Sequence, residues 1–177
     1  MVVQLINQQR SIWLPLRSLR HQLSTLLACA NYPEWDLGVH FIPDTQMRQL
    51  NRQYRGRDKT TDILSFPFHP VHGHAPESML TSPILEGLGE MEGRNLGDMF
   101  LSLEYVKRDC CRNNEGLVDR LPVLFAHGIC HLLGYDHEAD EDYRSMRDKE
   151  RRILETYHAR MANNRRPVLK GREKEKE

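Results

Sequence analysis

The chain has 177 residues, 25 Lys and Arg against 25 Asp and Glu, and 39% hydrophobic residues, which fits one soluble domain with a sizeable core and excludes a bulk polyanion binder. No apolar run approaches the roughly 20 residues needed to span a bilayer, so an integral membrane protein is excluded. The cysteines Cys29, Cys110, Cys111 and Cys130 include a vicinal couple and no Cys-x-x-Cys pair, so a reducing compartment is expected, with no disulfide-linked partner.

In chain order, Val2 to Ile6 predicts a first strand, and Leu16, Leu19, Leu23, Leu26 and Leu27 share one helix face. The same stretch carries Arg10, Arg17, Arg20, Ser11, Ser18 and Ser24 with no acid before Glu34, a composition that also suits organelle targeting. Both hold if targeting is encoded in folded residues that are not cleaved. Leu37 to Ile42 predicts a short strand. Asp44 is placed to cap a helix whose inner stripe is Met47, Leu50 and Tyr54, closed by Gly56. Its other side is basic, with Arg48, Arg52 and Arg55 at i, i+4 and i+7, and Arg57 and Lys59 just past the end. Such a stripe is ordinarily a solvated face; the sharper alternative is contact with RNA phosphates. Asp62 to Phe66 predicts a strand ended by Pro67, suited to a sheet edge. Residues 68–96 look loop-like and contain His69, His72 and His74, a rival metal cluster that no helix holds and for which solvent exposure is expected. Gly97 to Leu103 predicts another strand. Helices follow near Glu104 to Arg112, Leu117 to Leu133 and Asp140 to Ala162, and residues 163–177 form a charged tail expected to be disordered.

Residues 127 to 137 read His-Gly-Ile-Cys-His-Leu-Leu-Gly-Tyr-Asp-His. On a helix His127 and His131 lie about 6 Å apart along the axis and about 40° apart around it, so both leave one face. His137 cannot join them on a continuing helix. Gly134 can take the left-handed conformation that ends the helix and lets Tyr135 and Asp136 carry His137 back. Three neutral imidazoles with one open position suit catalytic zinc, whose bound water has a pKa near about 7. Imidazole also suits nickel, copper or iron. Cys130 is near enough to be weighed as a fourth ligand, against the favoured reading of a small buried thiol. Asp136 can orient a histidine from behind or simply serve the turn.

A zinc peptidase of the His-Glu-x-x-His kind uses the glutamate after its first histidine as base, and Gly128 stands there. Glu138, Asp140 and Glu141 could substitute, but acids opening a helix more often serve its dipole.

Two segments carry a family resemblance: His127 to His137, and Leu50 to Pro67 (LNRQYRGRDKTTDILSFP), with Leu96-Gly97-Asp98 between them. Together they resemble the YbeY family of ribosome-associated, metal-dependent endoribonucleases over roughly residues 1 to 160. Thr60 departs from the proline common at its position in the family. The resemblance implies a small single α+β domain over residues 1–162, with a mixed sheet of about four strands packed by helices and a zincin-like metal site. It implies His127, His131 and His137 as metal ligands for one Zn2+ ion, and Arg55 as the arginine of the active site. It further implies single-stranded RNA as substrate, 3′-end maturation of small-subunit rRNA as the task, and the small ribosomal subunit with its proteins as partners. Asn95 to Val106 and the start of the chain look more like eukaryotic, organellar members, which favours mitochondria over the cytoplasm.

Arg55 suits stabilising charge on phosphorus because its planar fork can grip two oxygens. The missing carboxylate matters less for RNA, which carries its own 2′-hydroxyl, than for a peptide; the attacking group can be that hydroxyl or water. Two rivals use the same site: a peptidase or small-molecule hydrolase, and a non-catalytic assembly factor with a structural metal.

Overall fold

Side chains alternate across the strands of this protein, and that alternation divides its core in two. The computed structural model describes residues 2–69, 94–136 and 140–164. In chain order these form β1 (Val3–Asn7), α1 (Leu16–Cys29), β2 (Asp36–Phe41), α2 (Asp44–Arg55), β3 (Ile63–Pro67), β4 (Asn95–Leu101), α3 (Leu103–Asn113), α4 (Leu117–Leu132) and α5 (Asp140–Asn164). The fold is α+β, with a four-stranded mixed sheet in the order β1-β2-β4-β3. β1, β2 and β4 run parallel, and β3 pairs antiparallel with β4 at the sheet edge. An edge is where a strand ending in Pro67 belongs, because proline has no N–H to donate to a ladder.

One face of the sheet presents Val3, Leu37, Val39, Phe41, Ile63, Met99 and Leu101 to the main core, where they meet buried residues of α1, α3, α4 and α5. The other face carries Leu64 with Ile42 and Met47, joined by Leu50, Phe66 and Phe100. Ile63 and Leu64 are neighbours in the chain yet belong to different clusters, which is the period-two geometry of a strand. α2 therefore covers the face of the sheet opposite to α4.

The first strand and the leucine-faced helix form as expected, so the acid-free N-terminal stretch is folded. Residues 70–93, the loop-like segment with His72 and His74, lie outside the described residues, as do residues 137–139 and the tail beyond residue 164. His69 is described and packs edge-on to Trp35 and Phe68.

Three local readings differ. β4 begins at Asn95 and ends at Leu101, two residues before the predicted limit, because α3 starts at Leu103 with Ser102 as its N-cap residue, and the Ser102 hydroxyl donates to the Asp44 carboxylate. Asp44 accordingly does not cap α2. It lies in the first turn and receives Ser102 and Arg108, tying α2 to the β4–α3 junction. The inner stripe of α2 is Met47 and Asn51, whereas Tyr54 is 59% exposed. Asn51 turns inward because its amide donates to the Lys59 carbonyl at 2.6 Å, pinning the loop after the helix. That rotation leaves Tyr54 at the helix margin, 4.9 Å from the Phe66 ring.

Gly97 holds φ at +118°, and a Cβ there would lie 2.1 Å from the Phe66 carbonyl oxygen and 2.7 Å from the Phe68 nitrogen. Both are backbone atoms that cannot yield without opening the β3–β4 ladder. Gly97→Ala should destabilise the protein by about 2 kcal/mol or more, read as a lowered midpoint in urea unfolding followed by circular dichroism.

Candidate active site

α4 reaches the sheet at Gly128. A Cβ at this position would lie 2.3 Å from Met99 Sδ, 2.7 Å from Ile63 Cδ1 and 3.3 Å from Ser65 Oγ. Only a hydrogen fits, and the helix settles directly over β3 and β4. The missing peptidase glutamate thus has a structural reason. Position 128 points into the core, where a carboxylate would be buried against a thioether and an aliphatic side chain.

His127 and His131 leave the helix on the side that faces α5. Their ring centroids are 4.6 Å apart at 87°, and the two Nε2 atoms approach to 3.1 Å. Two ring nitrogens this close need either a shared proton or a shared cation between them. On its other side His127 Nδ1 lies 2.6 Å from Glu150 Oε1, the arrangement in which an imidazole N–H donates to a carboxylate. Nε2 is then the ring nitrogen of His127 that faces His131. Tetrahedral zinc ligated at 2.0–2.1 Å would set two nitrogens about 3.3 Å apart, close to this spacing, and no third possible ligand joins the pair among the described residues.

The C-terminal end of α4 behaves as expected. Gly134 holds φ at +85°, its N–H donates to the His131 carbonyl and the Tyr135 N–H to the Cys130 carbonyl, both at 3.0 Å. This paired pattern is a Schellman stop, which ends the helix at the position expected. His137 itself, with Glu138, lies outside the described residues. Asp136 is exposed in the turn, and Glu141 is exposed at the start of α5, as suits a dipole partner. Cys130 is fully buried in the main core, and burial pushes its thiol far above the usual range. It packs and stays protonated, which favours the apolar reading over a fourth ligand.

Glu150 escaped the sequence reading. It comes from α5, whose buried residues are Met146, Ile153 and Tyr157. Tyr143, Met146, Glu150, Ile153 and Tyr157 follow one apolar helical stripe. A carboxylate inside such a stripe needs a partner, and that was the legible signal.

The basic stripe lies elsewhere. Arg48 grips Asp58 through two hydrogen bonds of 2.8 and 2.9 Å, which hold the Asp58 carboxyl below the ordinary carboxylate range. Arg52, Arg55, Arg57 and Lys59 are exposed and make no hydrogen bond or ion pair through their side chains among the described residues. Arg55 ends α2 on one face of the sheet while the histidines stand on α4 over the other. Among the described strands β3 is the edge strand, and it lies between the two faces on which they stand.

Restoring the peptidase glutamate should fail for steric reasons. Gly128→Glu is expected to lose about 3 kcal/mol or more of stability and to gain no hydrolysis of an unstructured peptide. A stably folded variant with peptidase activity would show that position 128 does not face the core.

A family model described as Endoribonuclease YbeY matches residues 4–158. A Homo sapiens protein named Endoribonuclease YbeY is 32% identical over 165 residues, covering 93% of each chain. The protein of that name from Clostridioides difficile is 35% identical over 133 residues, 73% of this chain and 78% of that one. A solution structure of a Thermotoga maritima protein shares the fold at a TM-score of 0.56 and 19% identity, covering 99% of this chain and all of that one. With the family model spanning the sheet, the histidine helix and most of α5, the chain belongs to the Endoribonuclease YbeY family.

Proposed function

We propose that this protein is a metal-dependent endoribonuclease that cleaves single-stranded RNA at the histidine cluster of α4 and matures the 3′ end of small-subunit rRNA. The observation that carries the metal reading is the approach of His127 Nε2 to His131 Nε2 with Glu150 behind His127. Family membership carries the hydrolysis of RNA. In this reading His127, His131 and His137 hold the metal, which we take to be zinc, and Asp136 orients a histidine from behind. A bound zinc ion supplies Lewis acidity and a lowered pKa for coordinated water.

The protein's own residues do the rest. Glu150 fixes the His127 tautomer and ring orientation and makes Nε2 a better donor. Arg55, charged at any working pH, stabilises negative charge developing on phosphorus, for which the strand must pass the β3 edge. Arg48, Arg52, Arg57 and Lys59 lie beside Arg55 and draw in the backbone. Arg48 contributes least, since Asp58 already neutralises it. The catalytic domain is residues 1–162, with residues 163–177 as a charged tail. The small ribosomal subunit and its proteins deliver the rRNA. The acid-free N-terminal stretch supports a mitochondrial location, with its address carried by β1 and α1; no described helix is long and apolar enough to cross a membrane.

Two measurements test this reading. The zinc-loaded protein should cut a single-stranded rRNA fragment and leave an unstructured peptide intact, with cleavage lost on chelation and in His131→Ala, and slowed about 100-fold in Arg55→Glu. Cleavage of the peptide but not the RNA would favour the hydrolase rival, and loss of fold in His131→Ala with neither substrate cut would favour a structural metal. Separately, Glu150→Gln should weaken zinc binding by about 10- to 100-fold in calorimetry. Unchanged affinity would remove Glu150 from the site.

A further inference from the structure

Tyr54 is an aromatic side chain at a helix position that the apolar pattern assigns to the core, yet it is 59% exposed. Its hydroxyl makes no hydrogen bond among the described residues. Behind it stands a row of rings: Tyr54 meets Phe66 at 4.9 Å and 68°, Phe66 meets Phe100 at 5.5 Å and 85°, and Phe100 stacks on His40 at 4.4 Å and 15°. An edge-to-face contact with Phe66 leaves at least one face of the Tyr54 ring uncovered by it. The supporting rings hold that face in place, so little conformational freedom remains to be lost when something stacks on it.

The charge around Tyr54 is cationic. Arg48 pairs with Asp58, whereas Arg52, Arg55, Arg57 and Lys59, near Tyr54 in sequence, are exposed and make no hydrogen bond or ion pair through their side chains among the described residues. The loop carrying Arg57 and Lys59 is tied down by the Asn51 amide on the Lys59 carbonyl. A fixed aromatic face flanked by unpaired cations suits an unpaired base with its phosphates, and a duplex, whose bases are already stacked, has no free face to offer.

Its place in the fold connects this patch to the histidines. Phe66 and Ser65 are consecutive on β3 and point to opposite faces. Phe66 supports Tyr54, while Ser65 Oγ would stand 3.3 Å from a Cβ on Gly128, the residue after His127. Among the described residues β3 is the edge strand, so a chain leaving Tyr54 would pass round one strand to reach the histidines.

We propose that Tyr54 is a base-stacking residue for single-stranded RNA, holding one unpaired base on the α2 side of β3 while the backbone crosses the edge to the histidines. This deepens the nuclease reading and rests on it. Tyr54 positions the strand and selects single-stranded over paired RNA.

The test uses the full-length zinc-loaded protein and a fluorescein-labelled, 2′-O-methylated oligoadenylate read by anisotropy. Tyr54→Ala should raise Kd roughly tenfold, Tyr54→Trp should restore binding, and neither should change the salt dependence. Arg57→Gln should lower the salt slope by about one. With a 5-iodouridine strand, irradiation should cross-link the peptide containing Tyr54. If the parent binds and cuts RNA but Tyr54→Ala binds as tightly, the stacking role is overturned and the nuclease stands. If a polyglutamate peptide displaces the strand at equal charge concentration, the patch is a general anion surface and the proposal fails. A parent that neither binds nor cuts RNA overturns both readings.

Discussion

A hydrogen atom where other residues carry a side chain, at Gly128, lets α4 rest on the sheet, and the site depends on that contact. Glycine inside a helix costs about 1 kcal/mol relative to alanine. Here it is offset by packing, since Met99 and Ile63 occupy the space that a Cβ would claim. Once α4 is seated, its rotation about its own axis is set. Phe125, Ala126, Ile129 and Cys130 are sealed in the core, and His127 and His131 are turned toward α5. There Glu150 holds the first imidazole from behind. Core packing and histidine orientation are therefore one constraint, applied through a single close approach.

The opposite face of the sheet is built on different terms. Its buried cluster is small, Ile42, Met47 and Leu64, and polar links supply much of the rest: Asp44 to Ser102 and Arg108, Asn51 to Lys59, Arg48 to Asp58. Those links fix the course of the loop after α2 and leave its cations outward. In a chain whose charges sum to zero, this patch supplies a local field that the molecule as a whole lacks. Contacts of that kind weaken steeply with salt.

Much of this was legible from residue order. The strand ending in Pro67 lies at the edge, the leucine helix forms, and Gly134 stops α4 as its position after two leucines implies. Tyr54 was misplaced because a hydrophobicity pattern ranks tyrosine above asparagine for the core. It could not register that Asn51 has a carbonyl to reach in a loop eight residues on. Glu150 was visible as an anomaly in the apolar stripe of α5. Its partner was not, since nothing local says which helix α5 faces.

Residue order alone determined the features that backbone stereochemistry settles within a turn or two: paired histidines on one helix face, a left-handed glycine after them, a proline that bars further pairing. Tertiary structure alone decided which faces meet. Glu150 reaches His127 from 23 residues away, Gly128 faces Met99 and Ile63, and Arg55 and the histidines stand on opposite sides of β3. Such relations depend on how helices seat on a sheet, and shape complementarity over the whole core sets that seating. Spacing along the chain carries no record of it.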